Sequence, residues 1–374
     1  MPMIDSRIAA FREKKVKHKT LEIALDSLHR FVAYPRPEQV VVLIGPSGVG
    51  KSTLVAALER HMRERFRSEM QSDPGFLPYL SVKAQAPLDG NFNWKDFFTR
   101  TLCEAGEILI DRKFSPSFQI ELDGKTLAGT EGLVREELRR SVETMIRHRR
   151  VQVIIIDEAS ALLFLKPGLA PTLQFNILKS LAIELRIPII LVGAYDLLGI
   201  LDGSGQLVRR SDVVHVPRYT SAGSTFGQPD TQHFTNILSA FLKTIDLPKE
   251  EGLDQHVDYF MLKAVGCAGV LKDWLDRALC QALLSPEPVL TRGILESSAL
   301  PNNAIARLTT EATAGELRFA DVPDDDLAAL AGFAYTPSLG STVPTLEVNA
   351  STKRRRGRVG LRGPSRDPVG VGHG

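Results

Sequence analysis

The sequence predicts an α/β protein, in which a parallel β-sheet flanked by helices is followed by a smaller, all-helical domain. Short runs of Val, Ile and Leu, typical of strands buried on both faces, alternate with amphipathic helical segments over residues 40–216. A glycine-rich turn joins the first of these strands to a helix. Residues 229–284 then contain three further amphipathic helical segments. In a sheet of this class, ligands bind at the C-terminal ends of the strands.

The composition is that of an ordinary globular protein. The 374 residues, 43% hydrophobic and 24% charged, leave room for one large domain and a smaller one. No apolar run reaches the roughly 18–20 residues that cross a bilayer, and no signal peptide heads the chain. The three cysteines are widely spaced and form no metal-ligand pattern. We therefore expect a cytoplasmic protein without a membrane partner or a structural zinc ion.

Both ends of the chain are basic, although the formal net charge is only +2. Residues 1–20 hold six Lys and Arg against two acidic residues, and residues 351–374 hold seven against one. The central part of the chain is therefore acidic. Basic ends of this kind either contact nucleic acid or serve as solvated arms, and the sequence leaves both interpretations open.

The first apolar strand leads directly into the pattern G-x-x-x-x-G-K-S, which begins at Gly45. This pattern is the phosphate-binding P-loop, because its backbone N–H groups and the helix N-terminus that follows favour an anion. Lys51 is expected to reach the β- and γ-phosphates, and the Ser52 hydroxyl to coordinate Mg²⁺. A glycine-rich turn without a ligand is the alternative. The predicted nucleotide-binding residues are Gly45, Pro46, Ser47, Gly48, Val49, Gly50, Lys51, Ser52 and Thr53.

A second apolar strand, at residues 151–156, ends in Asp157 and Glu158. This pattern is typical of a Walker B motif, in which Asp157 would bind Mg²⁺ through water and Glu158 would act as the general base toward the attacking water. We expect the P-loop strand and this strand to be neighbours in the sheet, since the two motifs share one Mg²⁺ ion. The paired carboxylates argue against a small-molecule kinase. They predict an ATPase that uses ATP and Mg²⁺.

The remaining segments fill the alternating pattern of strands and helices. Asn93 is a plausible N-cap for one of these helices, and Thr130 for another. Residues 111–130 lose periodicity and are interpreted as an inserted loop or hairpin. The predicted elements are, in order, a helix at 4–31, a strand at 79–84, helices at 94–109, 130–149 and 172–186, a strand at 187–192 and a short strand at 213–216.

The order of these motifs resembles that of the AAA+ P-loop ATPases and, within them, the TnsC/TniB transposition regulators. The P-loop, the strand ending in Asp-Glu, a further strand and an Arg-Arg pair before the last strand carry the wider resemblance. The closer resemblance rests on S-V-K-A-Q-A-P at 81–87, I-P-I-I-L-V-G-A-Y-D-L at 187–197 and L-V-R-R-S-D-V-V-H-V-P-R-Y at 207–219. It covers residues 10 to 300 or so.

The resemblance implies ATP-bound subunits that form a ring or helical filament, a homo-oligomer, around duplex DNA. Such a protein binds DNA without reading its sequence and links target-selector proteins to a transposase. Arg209 or Arg210 matches the arginine finger, which completes the ATP site of the neighbouring subunit. Lys272 falls at the sensor-2 position and would contact the γ-phosphate.

Two further features follow from the same resemblance. The family usually places a polar sensor-1 side chain after its fourth strand, where this chain offers only Tyr195 or Asp196 as substitutes, and this favours slow hydrolysis. The segment between the strand at 79–84 and the Walker B motif faces the DNA-filled channel in that family. The candidate phosphate contacts there, each of which can equally be a solvated surface charge, are Lys95, Arg100, Arg112, Lys113, Lys125, Thr130 and Arg135.

Five segments describe the expected organisation of the chain. They are a basic N-terminal helical segment at 1–36, a nucleotide-binding domain at 37–222 with an insertion at about 107–130, a helical lid at 223–300, a C-terminal extension at 301–334 and a disordered basic tail at 335–374. Two other functions stay open beside transposition. One is a replication loader or initiator-type ATPase similar to DnaC, and the other is a secretion-associated ATPase of the ExeA type.

Overall fold

The core of the protein is a five-stranded parallel sheet. The computed structural model describes residues 5–36, 39–87, 90–110, 130–165, 172–200, 211–225, 227–319 and 322–332. Within them the strands are β1 (Val40–Ile44), β2 (Leu80–Lys83), β3 (Ile154–Asp157), β4 (Ile189–Gly193) and β5 (Ser211–His215). Their order is β2-β3-β4-β1-β5, and every pairing between them is parallel. The predicted fold class is therefore confirmed.

The P-loop strand and the Walker B strand are not neighbours, so that prediction was wrong. Strand β4 lies between them, and Ile189 pairs with Val40 of β1 on one side and with Ile154 of β3 on the other. Two strand spacings amount to about 10 Å. A triphosphate with its metal ion spans a comparable distance, so the two motifs can share one ligand across the end of an intervening strand.

Helices cover both faces of the sheet in the described part of the chain. Successive residues of β1 alternate between two buried clusters: Val40 packs with the helices of one face, and Val41 with those of the other. The first face carries α5 (Trp94–Glu104), α6 (Thr130–His148) and α7 (Thr172–Leu185), and the second carries α2 (Lys19–Ala33) and α3 (Lys51–Arg65), which α4 (Arg67–Ser72) follows. The side chain of Asn93 accepts from the Asp96 amide and caps α5, as predicted.

The three amphipathic helices predicted at 229–284 are present and form a small helical domain, which we call the lid. They are α8 (Asp230–Thr244), α9 (Val257–Lys263) and α10 (Ala268–Ala282), and α11 (Arg292–Ser298) packs against them. Its core surrounds Trp274, which is 1% exposed and donates its indole N–H to the carbonyl oxygen of Leu295 at 2.8 Å. A two-stranded ribbon of β6 (Ser224–Thr225) and β7 (Gln228–Pro229) precedes α8.

The single helix predicted at 4–31 is two helices. Helix α1 (Ser6–Glu13) ends at Lys14, where the backbone becomes extended, and α2 begins after His18. The break lets the two helices pack on different bodies. Phe11 of α1 is fully buried in the lid core beside Phe241, whereas α2 packs on the sheet. Periodicity alone cannot reveal this break, because neither a proline nor a glycine separates the two helical segments.

Helix α12 (Asn302–Leu317) follows the lid and packs against the segment after β4. The guanidinium of Arg218 donates to both carboxylate oxygens of Glu316 at 3.1 Å, in a half-buried pair that fixes the helix. Residues 321–374 form a separate unit, whose described part holds α13 (Asp324–Ala331). The insertion at 111–129 and the tail at 335–374 lie outside the described residues. No helix in the described ranges is both long and apolar enough to cross a membrane.

Replacing Gly315 with alanine is expected to destabilise the docking of α12. A Cβ atom at this position would lie 2.1 Å from ring atoms of the buried Tyr195 side chain. We expect the Gly315→Ala variant to lose about 1–3 kcal/mol of unfolding free energy, although alanine favours a helix. Urea denaturation followed by circular dichroism measures the change.

The matched control for this prediction is Gly293→Ala in α11. An added Cβ there meets nothing nearer than an atom at 4.0 Å, so helix propensity alone acts. This variant is expected to be neutral or more stable by up to about 1 kcal/mol. Equal effects of the two substitutions would contradict the packing of α12 on Tyr195.

Candidate functional site

A cavity of about 270 Å³ opens at the C-terminal edge of the sheet, and we call it the P-loop cavity. It brings together most of the predicted nucleotide-binding residues with both Walker B carboxylates. Its lining residues are Ser47, Gly48, Gly50, Lys51, Ser52, Thr53, Asp157, Glu158, Ser160, Gly193, Ala194 and Gly269. Of the other predicted residues, Gly45 and Pro46 contribute carbonyl oxygens to the loop, and Val49 is buried in the core beneath it.

The conformation of the loop requires its glycines. Gly48 has φ +77° and Gly50 has φ +111°, which lie in the left-handed region that L side chains rarely adopt. A Cβ atom on Gly45 would come within 2.3 Å of the carbonyl oxygen of Val216. The loop therefore turns tightly, and the first residues of α3 line the cavity, where the N-terminus of the helix favours an anion.

The ammonium group of Lys51 lies inside this loop. It donates to the carbonyl oxygens of Gly45 at 2.7 Å and Pro46 at 2.9 Å. Burial lowers the pKa of Lys51, against the opposing effect of the nearby acidic groups Asp157 and Glu158. Burial disfavours the positive charge of Lys51, and a negatively charged phosphate group beside the ammonium would stabilise that charge. These observations show that the residues of the cavity fit a nucleoside phosphate.

The two Walker B carboxylates have different surroundings. The Asp157 carboxylate accepts the backbone N–H of Glu158 at 2.9 Å. Glu158 itself has φ +52°, an uncommon conformation for a residue with a side chain. Its carboxylate lies 3.7 Å from the ammonium of Lys83, at the end of β2, and both side chains are largely exposed. Sequence reasoning did not identify Lys83 as a neighbour, because the pairing of β2 with β3 is a tertiary contact.

The end of β4 places Tyr195 away from the P-loop cavity, so it cannot replace the missing polar side chain. Tyr195 is 5% exposed, and its hydroxyl lies 2.9 Å from Nε2 of His215. Burial raises the pKa of Tyr195 and lowers that of His215 to about 4, so this hydrogen bond joins two neutral groups. Asp196, the other expected substitute, accepts a hydrogen bond from Ser160, which lines the cavity.

Lys272 does not line the P-loop cavity, which corrects the predicted γ-phosphate contact. Its ammonium donates to the carbonyl oxygens of Arg12 at 2.6 Å and Lys14 at 2.7 Å. These are orphan acceptors at the C-terminal end of α1, where a cation is favoured. The lid residue that meets the P-loop is instead Gly269, whose N–H donates to the carbonyl oxygen of Gly48 at 2.7 Å.

The remaining predicted residues are only partly described. The arginine-finger pair, Arg209 and Arg210, lies outside the described residues, as do Arg112, Lys113 and Lys125. Thr130 is the first residue of α6 rather than its cap. Lys95 is exposed on α5, where Arg100 forms an ion pair with Asp96 at 2.7 Å, and on α6 Arg135 lies 3.9 Å from Glu136. Their roles in DNA binding stay predictions.

The P-loop lies between a strand and a helix, and the Asp-Glu pair lies two strands away at the same cavity. This arrangement defines the class of P-loop nucleoside-triphosphatases in which one strand is inserted between the two motifs. Residues 35–201 match the family model described as an AAA domain. Together with the arrangement of the P-loop cavity, this match identifies the protein as an ATPase. No curated protein sequence matches the chain.

Solved structures with a similar arrangement include the Aeropyrum pernix ORC2 protein in ADPNP–ADP complexes, with 14% identity, a TM-score of 0.48 and coverage of 86% of this chain and 74% of that one. The Aeropyrum pernix ORC1 protein in complex with DNA has 17% identity, a TM-score of 0.48 and coverage of 79% and 70%. The Thermotoga maritima RuvB Holliday junction branch migration motor has 15% identity, a TM-score of 0.40 and coverage of 87% and 86%. Similarity at this level carries no argument about function.

Two lysines whose ammonium groups both donate to backbone carbonyl oxygens provide a matched test of the P-loop cavity. Lys51→Ala removes the ammonium from the cavity and is expected to weaken ATP binding by about 10- to 100-fold or more, the effect of losing charged hydrogen bonds. Lys272→Ala removes an ammonium that caps α1, and ATP affinity is expected to stay within about twofold. Titration with a fluorescent ATP analogue measures both affinities, and equal losses in the two variants would contradict the assignment.

Proposed function

We propose that the protein is an ATP-dependent DNA-binding regulator of transposition, which oligomerises on duplex DNA and couples target selection to a transposase. The observation that carries the proposal is the P-loop cavity, in which Lys51, Ser52 and the Asp157-Glu158 pair face one another. The resemblance of residues 81–87, 187–197 and 207–219 to transposition regulators supports the particular process.

Each residue of the cavity has a part in the proposed hydrolysis. The P-loop N–H groups and Lys51 hold the phosphates, while Ser52 and Asp157 would hold Mg²⁺, which neutralises charge on the phosphates when bound. Glu158 accepts the proton of the attacking water as general base. Hydroxyl and carboxylate oxygens are hard ligands that suit this ion, and Ser52 at the start of α3 and Asp157 at the end of β3 both line the cavity.

Glu158 must change its contacts before it can act as the general base. Its carboxylate faces the ammonium of Lys83 at 3.7 Å in an exposed ion pair. An exposed pair of this kind contributes little to stability, so it can open at a small cost. Hydrolysis nevertheless requires Glu158 to turn from Lys83 toward the water on the γ-phosphate. A slow ATPase suits a protein whose ATP-bound oligomer must persist on DNA until a partner arrives.

DNA binding by the proposed oligomer rests on exposed cations rather than on base recognition. Lys14, Lys15 and Lys17 are exposed in the segment between α1 and α2, and Lys95 is exposed on α5. Lysine ammonium groups bind phosphates without distinguishing the bases. A transposition regulator needs no sequence preference of its own, because other proteins select its target.

DNA binding is expected to depend steeply on salt and not on sequence. If each subunit neutralises about 3–5 phosphates, log K falls against log salt concentration with a slope of about −3 to −4.5.

Glu158→Gln keeps the shape of the P-loop cavity but lacks the general base, so its complexes formed with ATP should dissociate more slowly than those of the wild type.

Fluorescence anisotropy of labelled duplexes of several sequences, across a salt series with ATP, measures both properties. Lys51→Ala, in which ATP binding is expected to be weakened, serves as the control. A flat salt response, a strong preference for one duplex or equal lifetimes of wild-type and Glu158→Gln complexes would contradict the proposed function.

The proposed arginine finger is tested by complementation between two inactive variants. A finger acts on the neighbour's γ-phosphate, so the double substitution Arg209→Ala with Arg210→Ala should spare ATP binding and reduce hydrolysis. Fingers contribute about 10³–10⁵ in rate in other P-loop enzymes, and a slow ATPase is expected to lose less. Mixing this variant with Lys51→Ala places an intact P-loop beside intact arginines at some interfaces.

Hydrolysis in the mixture, measured as phosphate release with DNA present, should therefore exceed that of either variant alone. Size-exclusion chromatography of the mixture confirms that the two variants assemble together. Absence of recovery in mixed oligomers would mean that Arg209 and Arg210 act within their own subunit or only support the fold.

A further inference from the structure

A hydrogen-bonded polar pair, Ser160 and Asp196, lies at the P-loop cavity, and no sequence motif indicated its serine. The hydroxyl of Ser160, two residues after Glu158, donates to Oδ1 of Asp196 at 2.7 Å. The same oxygen accepts the backbone N–H of Leu197 at 2.8 Å, which fixes the orientation of the carboxylate. Ser160 lines the cavity together with Asp157 and Glu158.

The end of β4 provides the space that the Ser160 hydroxyl occupies. A Cβ atom on Gly193 would lie 2.9 Å from Oγ of Ser160 and 3.2 Å from a methyl carbon of Leu197. Since β4 lies between the P-loop strand and the Walker B strand, this hydroxyl stands between the two motifs. Because Gly193 has no side chain, β4 contributes no polar group at this point. The hydroxyl of Ser160, from the segment after β3, occupies the space instead.

The hydrogen bond to Asp196 determines what Ser160 can do. A serine hydroxyl has one proton to donate and two lone pairs that accept. Its proton is directed to the carboxylate in a charge-assisted bond, so the lone pairs are left to accept a hydrogen bond from a group in the cavity. Phosphate oxygens offer no proton, whereas water does. Ser160 is therefore suited to bind water.

We propose that Ser160 orients the attacking water for Glu158, with Asp196 as the positioning residue that fixes the serine hydroxyl. The proposal rests on the proposed ATP hydrolysis. In that step the water oxygen forms a bond to the γ-phosphorus, the bond from this phosphorus to the β–γ bridging oxygen breaks, and the water proton passes to Glu158. Ser160 keeps its own proton and holds the water in line. It supplies the polar contact that β4 lacks.

Steady-state ATP hydrolysis by the full-length protein with duplex DNA tests this role. Ser160→Ala is expected to lower kcat by about 10- to 100-fold, which is less than the loss of an oxyanion-hole donor costs in other enzymes, because Ser160 contacts the water rather than the developing charge. ATP affinity should change by less than about twofold, because the contact is made by the water rather than by the bound nucleotide. Ser160→Thr keeps the hydroxyl and is expected to retain most of the activity.

The matched control is Ser27→Ala. The Ser27 hydroxyl donates to the carbonyl oxygen of Ile23 within α2, away from the P-loop cavity. Its loss is expected to leave kcat and ATP affinity unchanged. A reduced kcat in this variant equal to that of Ser160→Ala would mean that loss of any such hydroxyl impairs the protein, and would overturn the proposal.

A double-mutant cycle separates positioning from a structural role of Asp196. Asp196→Ala alone should lower kcat, but it should have little further effect when Ser160 is already alanine, because it acts through that hydroxyl. If Asp196 only stabilises the 3₁₀ turn Tyr195–Ile200, its effect is the same in both backgrounds. Additive losses would therefore overturn the positioning role.

The outcomes also distinguish this inference from the proposed function. Wild-type hydrolysis that Lys51→Ala abolishes, together with a wild-type kcat in Ser160→Ala, would overturn only the role of Ser160. Absence of ATP hydrolysis by the wild type would overturn both. A lower kcat with unchanged ATP affinity in Ser160→Ala, rescued by threonine, supports the proposal.

Discussion

The backbone contact between Gly48 of the P-loop and Gly269 at the start of α10 is the constraint on which the rest of the site depends. The Gly269 N–H donates to the Gly48 carbonyl oxygen at 2.7 Å, and a Cβ atom on Gly269 would come within 2.5 Å of that oxygen. The lid therefore touches the phosphate-binding loop through main chain, and the side chain of Val270 also packs there, 2.7 Å from where a Cβ atom on Gly48 would lie. Because a bound phosphate must use N–H groups of the same loop, the position of the lid and the occupancy of the P-loop cavity are physically linked.

The N-terminal segment extends this link. Helix α1 is part of the lid core through Phe11, while α2 packs on the sheet, so residues 14–18 connect the two bodies. Lys272 fixes one end of the connection by capping α1, and Nδ1 of His18 lies 3.0 Å from the Tyr219 hydroxyl at the other. Burial lowers the pKa of His18 to about 4, so this contact is between neutral groups near neutral pH. A lid that moves must carry α1 with it.

The parts of the fold and of the site that were predicted correctly are those that a single contiguous sequence motif determines. Lys51, Asp157 and Glu158 each follow a buried strand within one contiguous motif, so the parallel sheet alone brings them to a common edge. The insertion of β4 between the motifs, the break in the first helix and the orientation of Lys272 depend on contacts between distant residues. Ser160 is similar, because its significance comes from Gly193 and Asp196, which follow it by more than 30 residues. No periodicity encodes such pairs.

The exposure of the proposed catalytic groups bears on where hydrolysis takes place. The Glu158 side chain is 60% exposed and its partner Lys83 is 63% exposed, so both are in contact with bulk water. Charges in water interact weakly, and a general base is most effective where water is excluded and the surrounding dipoles are fixed. A single subunit therefore provides the groups for hydrolysis without the environment that makes them effective. In the proposed oligomer, the surface of the next subunit would cover this edge of the sheet and add its arginines, so that assembly on DNA and ATP hydrolysis become one coupled event.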